Sequence, residues 1–206
     1  NICELITVAL ERYQHSINYC MKIIEILQNK ENSAAILSDL VAHNIKRLPH
    51  LLLLHDIIDQ IKSMDINLLS RDISAPKTLA TFLIELGRKC TDIMFKHVSD
   101  LFEFLEQDSY PIRNATLEII ATIIINKFCS PTIFKDVHIK NKLLDKLEEH
   151  IHDIAGFTRG RVLQLWSQLA EHGAIPIERL LSVIDLIIGR LDDKSCYVRK
   201  YAIHFL

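Results

Sequence analysis

The sequence has few of the residues that break or turn a chain. Glycine and proline occur only five times each among 206 residues, and aromatic residues make up only 7%. An all-β protein needs many turns, so this composition argues against that class. The ample supply of Leu, Ile, Lys and Glu favours helices instead.

Long apolar runs and a charge excess are also missing. No run reaches the ~18 apolar residues that a membrane span needs, and the most apolar stretch, residues 117–125, contains Glu118. We therefore expect no membrane contact. A net charge of −2 excludes a histone-like basic protein, although a local basic surface stays compatible with it. With 49% hydrophobic residues, the chain is too apolar to be disordered and long enough for one or two packed domains.

The cysteines are odd in number and form no CxxC pair, which is typical of reduced, intracellular thiols. They are Cys3, Cys20, Cys90, Cys129 and Cys196. The start, "NICELITVALERYQHS", has neither a Met nor the basic region of a signal peptide. We therefore expect these residues to be a fragment of a longer protein.

Motifs of enzyme chemistry are absent as well. The sequence has no GxxxxGK[ST], no GxSxG and no HExxH. Carboxylate pairs such as Asp192–Asp193 lie at predicted helix ends, where solvation or capping explains them. His150 and His152 are two residues apart on a predicted helix and point to different sides, so they cannot chelate one ion there. We predict no enzyme activity, no cofactor and no metal.

Apolar residues recur at helical spacing along most of the chain. The spacing predicts helices over 3–29, 34–43, Pro49–Ser63, 78–90, 92–106, 139–152 and 178–191. A polar connector at 67–77 is the expected internal boundary, which separates an N-terminal helical region (1–70) from a repeat region (71–206). The stretch 109–128 is rich in β-branched residues, so a strand is an alternative there, but the repeat described next favours a helix.

An internal repeat is the main organising feature of the sequence. Three segments align on an arginine, Arg113, Arg159 and Arg199, with spacings of 46 and 40 residues; they read "LEQDSYPIRNATLEII", "IHDIAGFTRGRVLQLW" and "LDDKSCYVRKYAIHFL". This period falls in the ~40–47 residue range of HEAT and armadillo repeats. The sequence therefore predicts an all-α protein, an α-solenoid of HEAT repeats, with second helices beginning near residues 111, 157 and 197.

The three arginines have two possible roles. In a structural ladder, each one pairs with an acidic residue of the neighbouring repeat or caps helix carbonyls, for which the guanidinium fork is suited. The alternative is contact with DNA. Better candidates for nucleic-acid contact are basic residues beside this ladder, although a merely solvated face is the alternative for them. They are Lys135, Lys140, Lys142, Lys146, Arg161, Lys194 and Lys200.

Three blocks of the sequence resemble the family of condensin complex subunit 1, the HEAT-repeat subunit of condensin I. The first block is residues 78–120. The second is residues 143–206, which include "DKLEEHIHD", "RVLQLW", "GRLDDKS" and "VRKYAI". The third, "LERYQHSINYCMKIIEILQ", is a weaker match. The resemblance implies a non-enzymatic subunit that binds the kleisin subunit, works with the SMC ATPase heterodimer and engages double-stranded DNA in chromatin. It implies a role in mitotic chromosome condensation, in the nucleus and on chromosomes and also in the cytoplasm.

Kleisin binding requires an exposed apolar groove and no catalytic residues. Trp166 and Phe157 are candidate anchors, and core packing is the alternative for Trp166. Two other functions stay open. One is a HEAT subunit of condensin II or of another SMC complex. The other is a HEAT adaptor that carries protein cargo and has no DNA role.

Overall fold

The computed structural model describes residues 2–64, 74–129 and 136–206, and throughout these ranges the chain forms helices and turns with no strand. The expected fold class, an all-α α-solenoid of HEAT repeats, is confirmed. The chain divides into two compact units, Asn1–Thr116 and Leu117–Leu206. The predicted boundary near residue 70 lies in 65–73, outside the described residues, and stays a prediction.

The helices of the first unit are α1 (Ile2–Tyr13), α2 (Ser16–Asn29), α3 (Ala34–Arg47), α4 (Leu53–Lys62), α5 (Ser74–Lys89), α6 (Thr91–Lys96) and α7 (Val98–Leu101), with 3₁₀ turns at Glu31–Ser33 and Phe102–Glu106. Helix α5 packs against α2 and α3, and α4 packs against α2. Their contact faces meet in a core that includes Leu27, Leu53, Phe82 and Leu86, each fully buried.

The prediction of one helix over 3–29 is wrong. The chain turns between α1 and α2 at Gln14, whose φ of 51° lies in the left-handed region. The Gln14 amide donates to the Leu10 carbonyl at 2.9 Å and closes the last turn of α1, as a residue just past a helix often does. Helix α1 then packs on α3, whereas α2 packs on α4 and α5. No Gly or Pro marks this turn, so the apolar spacing runs through it.

The prediction of one helix over 92–106 is also wrong. His97, with φ −106° and ψ 13°, separates α6 from α7, and a 3₁₀ turn completes the segment. The apolar positions that suggested the helix are still buried, among them Met94 and Leu101. The spacing therefore identified the buried face correctly but not the interruption, because short helical pieces in sequence keep a similar period.

Helix α8 (Tyr110–Phe128) confirms that the apolar stretch is a helix and not a strand. Pro111 lies in its first turn, where a missing N–H costs no hydrogen bond. The helix is buried over most of its circumference, from Ile112 to Ile124, and even Arg113 and Glu118 are only 6% exposed. No helix in the described part of the chain is long and apolar enough to cross a membrane.

The second unit contains the later part of α8, then α9 (Val137–Glu149), a 3₁₀ turn (His150–His152), α10 (Gly156–Glu171), α11 (Ile177–Ile188) and α12 (Cys196–Phe205). The aligned segments begin their helices at Tyr110, Gly156 and Cys196, each within one residue of the expected position. Helices α10 and α12 pack closely, and Gly160 is buried where the ring of Tyr197 crosses α10.

We predict that Gly160→Ala destabilises the second unit. A Cβ at this position would lie 2.2 Å from Cδ1 and 2.3 Å from Cε1 of Tyr197, so the ring must shift. We expect a loss of roughly 1–3 kcal/mol, despite the better helix propensity of Ala, measured by chemical denaturation. Gly189→Ala is the matched control, because its Cβ would meet nothing nearer than 3.4 Å. Equal effects of the two substitutions would contradict the close packing at Gly160.

Candidate nucleic-acid interface

The three repeat arginines adopt the same geometry. Each donates from Nη1 to the carbonyl oxygens of the residues six and five positions earlier, in the turn that precedes its own helix. The pairs are Arg113 with Gln107 (2.6 Å) and Asp108 (3.0 Å), Arg159 with Asp153 (2.8 Å) and Ile154 (3.1 Å), and Arg199 with Asp193 (2.7 Å) and Lys194 (3.2 Å).

These contacts have a simple physical reason. A carbonyl at the end of a helix or in a turn has no partner within a helix and needs one elsewhere. A guanidinium one turn into the next helix can reach back and satisfy two such oxygens at once. The contact fixes the turn between the two helices of a repeat. The nearly identical geometry in three places shows that the aligned arginines occupy equivalent positions in the fold.

Arg159 also joins two successive repeats. Its Nε and Nη2 each donate to the carboxylate of Asp193 at 2.7 Å, and the two side chains are only 14% and 3% exposed. Asp193 Oδ1 further accepts from the amide of Ser195 at 2.9 Å. The hydrogen bonds from Arg159 lower the pKa of Asp193 to about 2 and raise the pKa of Arg159. Asp193 therefore caps its turn, as the sequence suggested, and also forms a buried ion pair.

Arg161, a predicted DNA-contacting residue, is engaged within the protein. Its guanidinium donates to the carboxylate of Glu118 and to Oε1 of Gln164, the latter at 2.6 Å. The Glu118 side chain is only 8% exposed. A phosphate at Arg161 would have to compete with this buried carboxylate. The sequence signal for the pair was the single acidic residue within the apolar run of α8.

The predicted lysines of the 135–146 segment do not form one continuous basic surface. Lys135 lies outside the described residues. Lys140 and Lys142 are two residues apart on α9 and therefore point to different sides of the helix. Lys142 and Lys146 are one turn apart on the same side. Lys146 donates to Glu149 at 2.7 Å, which offsets part of its charge.

Arg179 of α11 pairs with two further acids of α9. Its guanidinium lies 2.5 Å from Asp145 and 3.2 Å from Glu148. These pairs fix α11 against α9, and no sequence pattern indicated them because the partners come from different helices.

Lys194 and Lys200, the remaining predicted contacts, are exposed. Lys194 lies in the turn before α12. The Nζ of Lys200 lies 5.4 Å from the ring centroid of Tyr201, and Tyr201 meets Tyr197 edge to face at 4.8 Å. Cations next to partly exposed aromatic rings are compatible with contact to a nucleic acid.

Exposed apolar side chains occur at several positions in this unit, including α11. Trp166 is fully buried in the core, whereas Phe157 is 59% exposed beside Tyr197. On α11, Ile177 and Leu181, one turn apart, are 84% and 75% exposed, and Ile188 is 47% exposed. We call these three residues the α11 apolar stripe. The sequence predicted an amphipathic helix here, but only the packing of its neighbours shows that this side stays uncovered.

His150 and His152 each hold a protein group. Nδ1 of His150 is 2.9 Å from the carbonyl of Lys146, and Nδ1 of His152 is 2.8 Å from Nη2 of Arg190. Both lie in a 3₁₀ turn rather than in the predicted helix. The structure therefore gives each imidazole a separate partner.

The repeated helices and their arginines define a helical-repeat protein of the HEAT class. Over its whole length the chain is similar to condensin complex subunit 1, which confirms the family resemblance. The human protein is 33% identical over 206 residues (100% of this chain), the Xenopus laevis protein 30% over 204 residues (98%), and the Arabidopsis thaliana condensin-1 complex subunit CAP-D2 27% over 210 residues (100%). The chain spans 15% of the length of each. No family model matches the chain.

We predict that Asp193→Asn destabilises the protein near neutral pH and that this effect disappears in acid. The folded pKa of about 2 lies below the ordinary ~3.9 of an aspartate, a difference worth roughly 2–3 kcal/mol. This stability is fully present above pH ~4 and is lost as the pH falls towards ~2, because the carboxylate is then protonated in both states. Denaturation of both proteins across this pH range measures it.

Asp192→Asn is the matched control, since Asp192 is the exposed neighbour of Asp193. It should change the free energy of unfolding little at any pH. A destabilisation by Asp193→Asn that stays constant from neutral pH to pH ~2 would contradict a role for the ionised carboxylate.

Proposed function

We propose that this protein is a non-catalytic scaffold subunit of condensin I that binds the kleisin subunit and double-stranded DNA and so supports mitotic chromosome condensation. The observation that carries the proposal is similarity across 98–100% of the chain to condensin complex subunit 1 from two vertebrates and a plant. The plant relative is a condensin-1 complex subunit by name. A protein with this role acts in the nucleus and on mitotic chromosomes.

The contacts of the described charged residues support a scaffold rather than an enzyme. The repeat arginines hold turns, and the pairs Arg159–Asp193 and Arg161–Glu118 join helices of different repeats. These groups are thereby committed to holding the fold. ATP hydrolysis is assigned to the SMC ATPase heterodimer, and this protein contributes surfaces that position the kleisin and DNA.

The DNA surface is proposed on the basic side chains of the second unit that project from α9 and α12. Lys142 and Lys200 are exposed, and so is Lys194 in the turn before α12. Arg179 pairs with two acids of α9 and offsets one of their two negative charges. Lysines bind phosphates as point charges without reading bases, so binding should be independent of sequence and sensitive to salt.

The kleisin surface is proposed on the α11 apolar stripe. A helix that exposes apolar residues one turn apart suits an extended or helical peptide that buries them. The stripe lies on the helix that Arg179 fixes to α9, so it is held in a defined position. Phe157 supplies a second exposed apolar group in the same unit.

We predict that reversing the charges of Lys140, Lys142 and Lys146 to Glu weakens binding to duplex DNA and lowers its dependence on salt. Each phosphate contact contributes about 0.9 to the slope of log K against log salt concentration. Because Lys142 and Lys146 share one side of α9, loss of one or two contacts should reduce the slope by about 1–2. Gel-shift titrations over a series of salt concentrations measure both quantities.

The matched control reverses Lys22, Lys30 and Lys46, which are exposed lysines of the first unit. It changes the total charge by the same amount, so a general electrostatic effect would appear in both variants. An unchanged salt slope in the α9 variant, or an equal loss in the control, would rule out α9 as the DNA surface.

We predict that Ile177→Asp together with Leu181→Asp abolishes capture by the condensin I kleisin while the helical circular dichroism is retained. The substitutions place charges on side chains that are 84% and 75% exposed, so they should not disturb the core. A matched variant, Ile36→Asp, alters a 72% exposed residue of the first unit and should still be captured.

Kleisin capture is measured by a pull-down with the kleisin subunit. The same assay distinguishes the remaining candidate functions. Capture by the condensin II kleisin alone would assign the protein to that complex. A protein that binds neither kleisin nor DNA would fit a cargo adaptor instead, and the proposal would be wrong. Unchanged kleisin capture by the α11 variant would leave the complex assignment standing and exclude the stripe as the contact.

A further inference from the structure

A cluster of two histidines and one aspartate lies on the surface of the first unit. One ligand atom from each of His55, His97 and Asp100 lies within 4.8 Å of those of the other two. We propose that this cluster binds a divalent transition-metal ion of the zinc class, and that the ion ties α4 to the junction of α6 and α7.

The fold brings these residues together from separate elements. His55 lies in the first turn of α4, and Asp100 lies on the short helix α7. His97 occupies the break between α6 and α7, where the chain leaves the helical path that the apolar spacing predicts. The interruption and the following turn place His97 beside Asp100, with Nδ1 of the ring 3.1 Å from the carboxylate Oδ2.

The distances are close to those that a metal requires. Imidazole and carboxylate ligands lie about 2.0–2.2 Å from Zn²⁺, which places tetrahedral ligand atoms roughly 3.3–3.6 Å apart. The pair His97–Asp100, at 3.1 Å, is slightly shorter than this range, and the 4.8 Å limit leaves about an ångström of adjustment for His55. The rings of His55 and His97 face each other with centroids 6.0 Å apart and planes 24° apart. Because the nitrogen lone pair lies in the plane of each ring, the two imidazoles share one ion after at least one ring rotates about χ2.

The chemical types of the ligands indicate the class of ion. Two neutral imidazoles and one carboxylate suit Zn²⁺ and neighbouring first-row metals, whereas Mg²⁺ and Ca²⁺ prefer oxygen ligands alone. The three side chains are 43%, 25% and 40% exposed, so an ion can enter from solvent and keep water as a fourth ligand.

Asp59 is proposed as a positioning residue. Its Oδ2 lies 3.3 Å from Nε2 of His55, one helical turn away on α4. A carboxylate that accepts from one imidazole nitrogen fixes the ring and raises the basicity of the other nitrogen, which then faces the metal. In this arrangement His55 binds through Nδ1. Without a metal, both histidines would form ordinary pairs with their neighbouring aspartates, and the experiment distinguishes these two cases.

The test is titration of the metal-free protein with ZnCl₂ by isothermal calorimetry, and with CoCl₂ by visible absorption. We expect one equivalent to bind, a cobalt spectrum typical of nitrogen and oxygen ligands, and removal of the ion by EDTA. His97→Ala and Asp100→Asn should each weaken binding by more than about tenfold. Asp100→Asn keeps nearly the same volume, so it tests the ligand role even if His97→Ala folds poorly.

Asp59→Asn should weaken binding by about 10-fold or more and shift the cobalt spectrum, and Asp59→Glu should restore part of the affinity. His172→Ala is the matched control, since this exposed histidine of the second unit bonds to the carbonyl of Gln168. It should bind one equivalent with unchanged affinity. Absence of binding, or equal affinity in the wild type and in both ligand variants, would overturn the proposal.

Discussion

The hydrogen bonds of the repeat arginines hold the repeat architecture in place. Within a repeat, each arginine satisfies two carbonyl oxygens of its own turn, and Arg159 adds a bidentate bond to Asp193 of the next repeat. A buried carboxylate is costly unless it is paired and hydrogen-bonded, and Asp193 has both Arg159 and the Ser195 amide as partners. Misplacing α12 relative to α10 would separate this carboxylate from Arg159, so the pair specifies the stacking as well as stabilising it.

These contacts distinguish the charged residues that hold the fold from the charged residues that we propose to bind DNA. Arg159 and Arg161 are committed to Asp193 and Glu118, and Arg179 is committed to two acids of α9. The surface that remains carries exposed lysines on α9 and α12 and exposed aliphatic residues on α11. Phosphate binding and apolar peptide docking require those two kinds of surface, and a scaffold subunit needs both. The proposed condensin role thus uses surfaces that the arginine contacts keep at fixed positions.

The accuracy of the sequence predictions varied for physical reasons. Helix α8 was predicted correctly because a repeat register outweighs the strand preference of isoleucine. The turn at Gln14 was missed because no Gly or Pro marks it, and the break at His97 was missed because the buried positions keep their period across it. Apolar periodicity reports which residues face the core, so it stays informative even where it misplaces the end of a helix.

The sequence by itself determined the all-α class, the repeat period and the equivalence of Arg113, Arg159 and Arg199, because these depend on local spacing along one chain. The tertiary structure decided which charges meet. It paired Arg161 with Glu118, exposed one side of α11, and brought His55 of α4 next to His97 and Asp100. Such contacts join residues that are distant in the chain, and their distances depend on how the helices pack, which no local pattern contains.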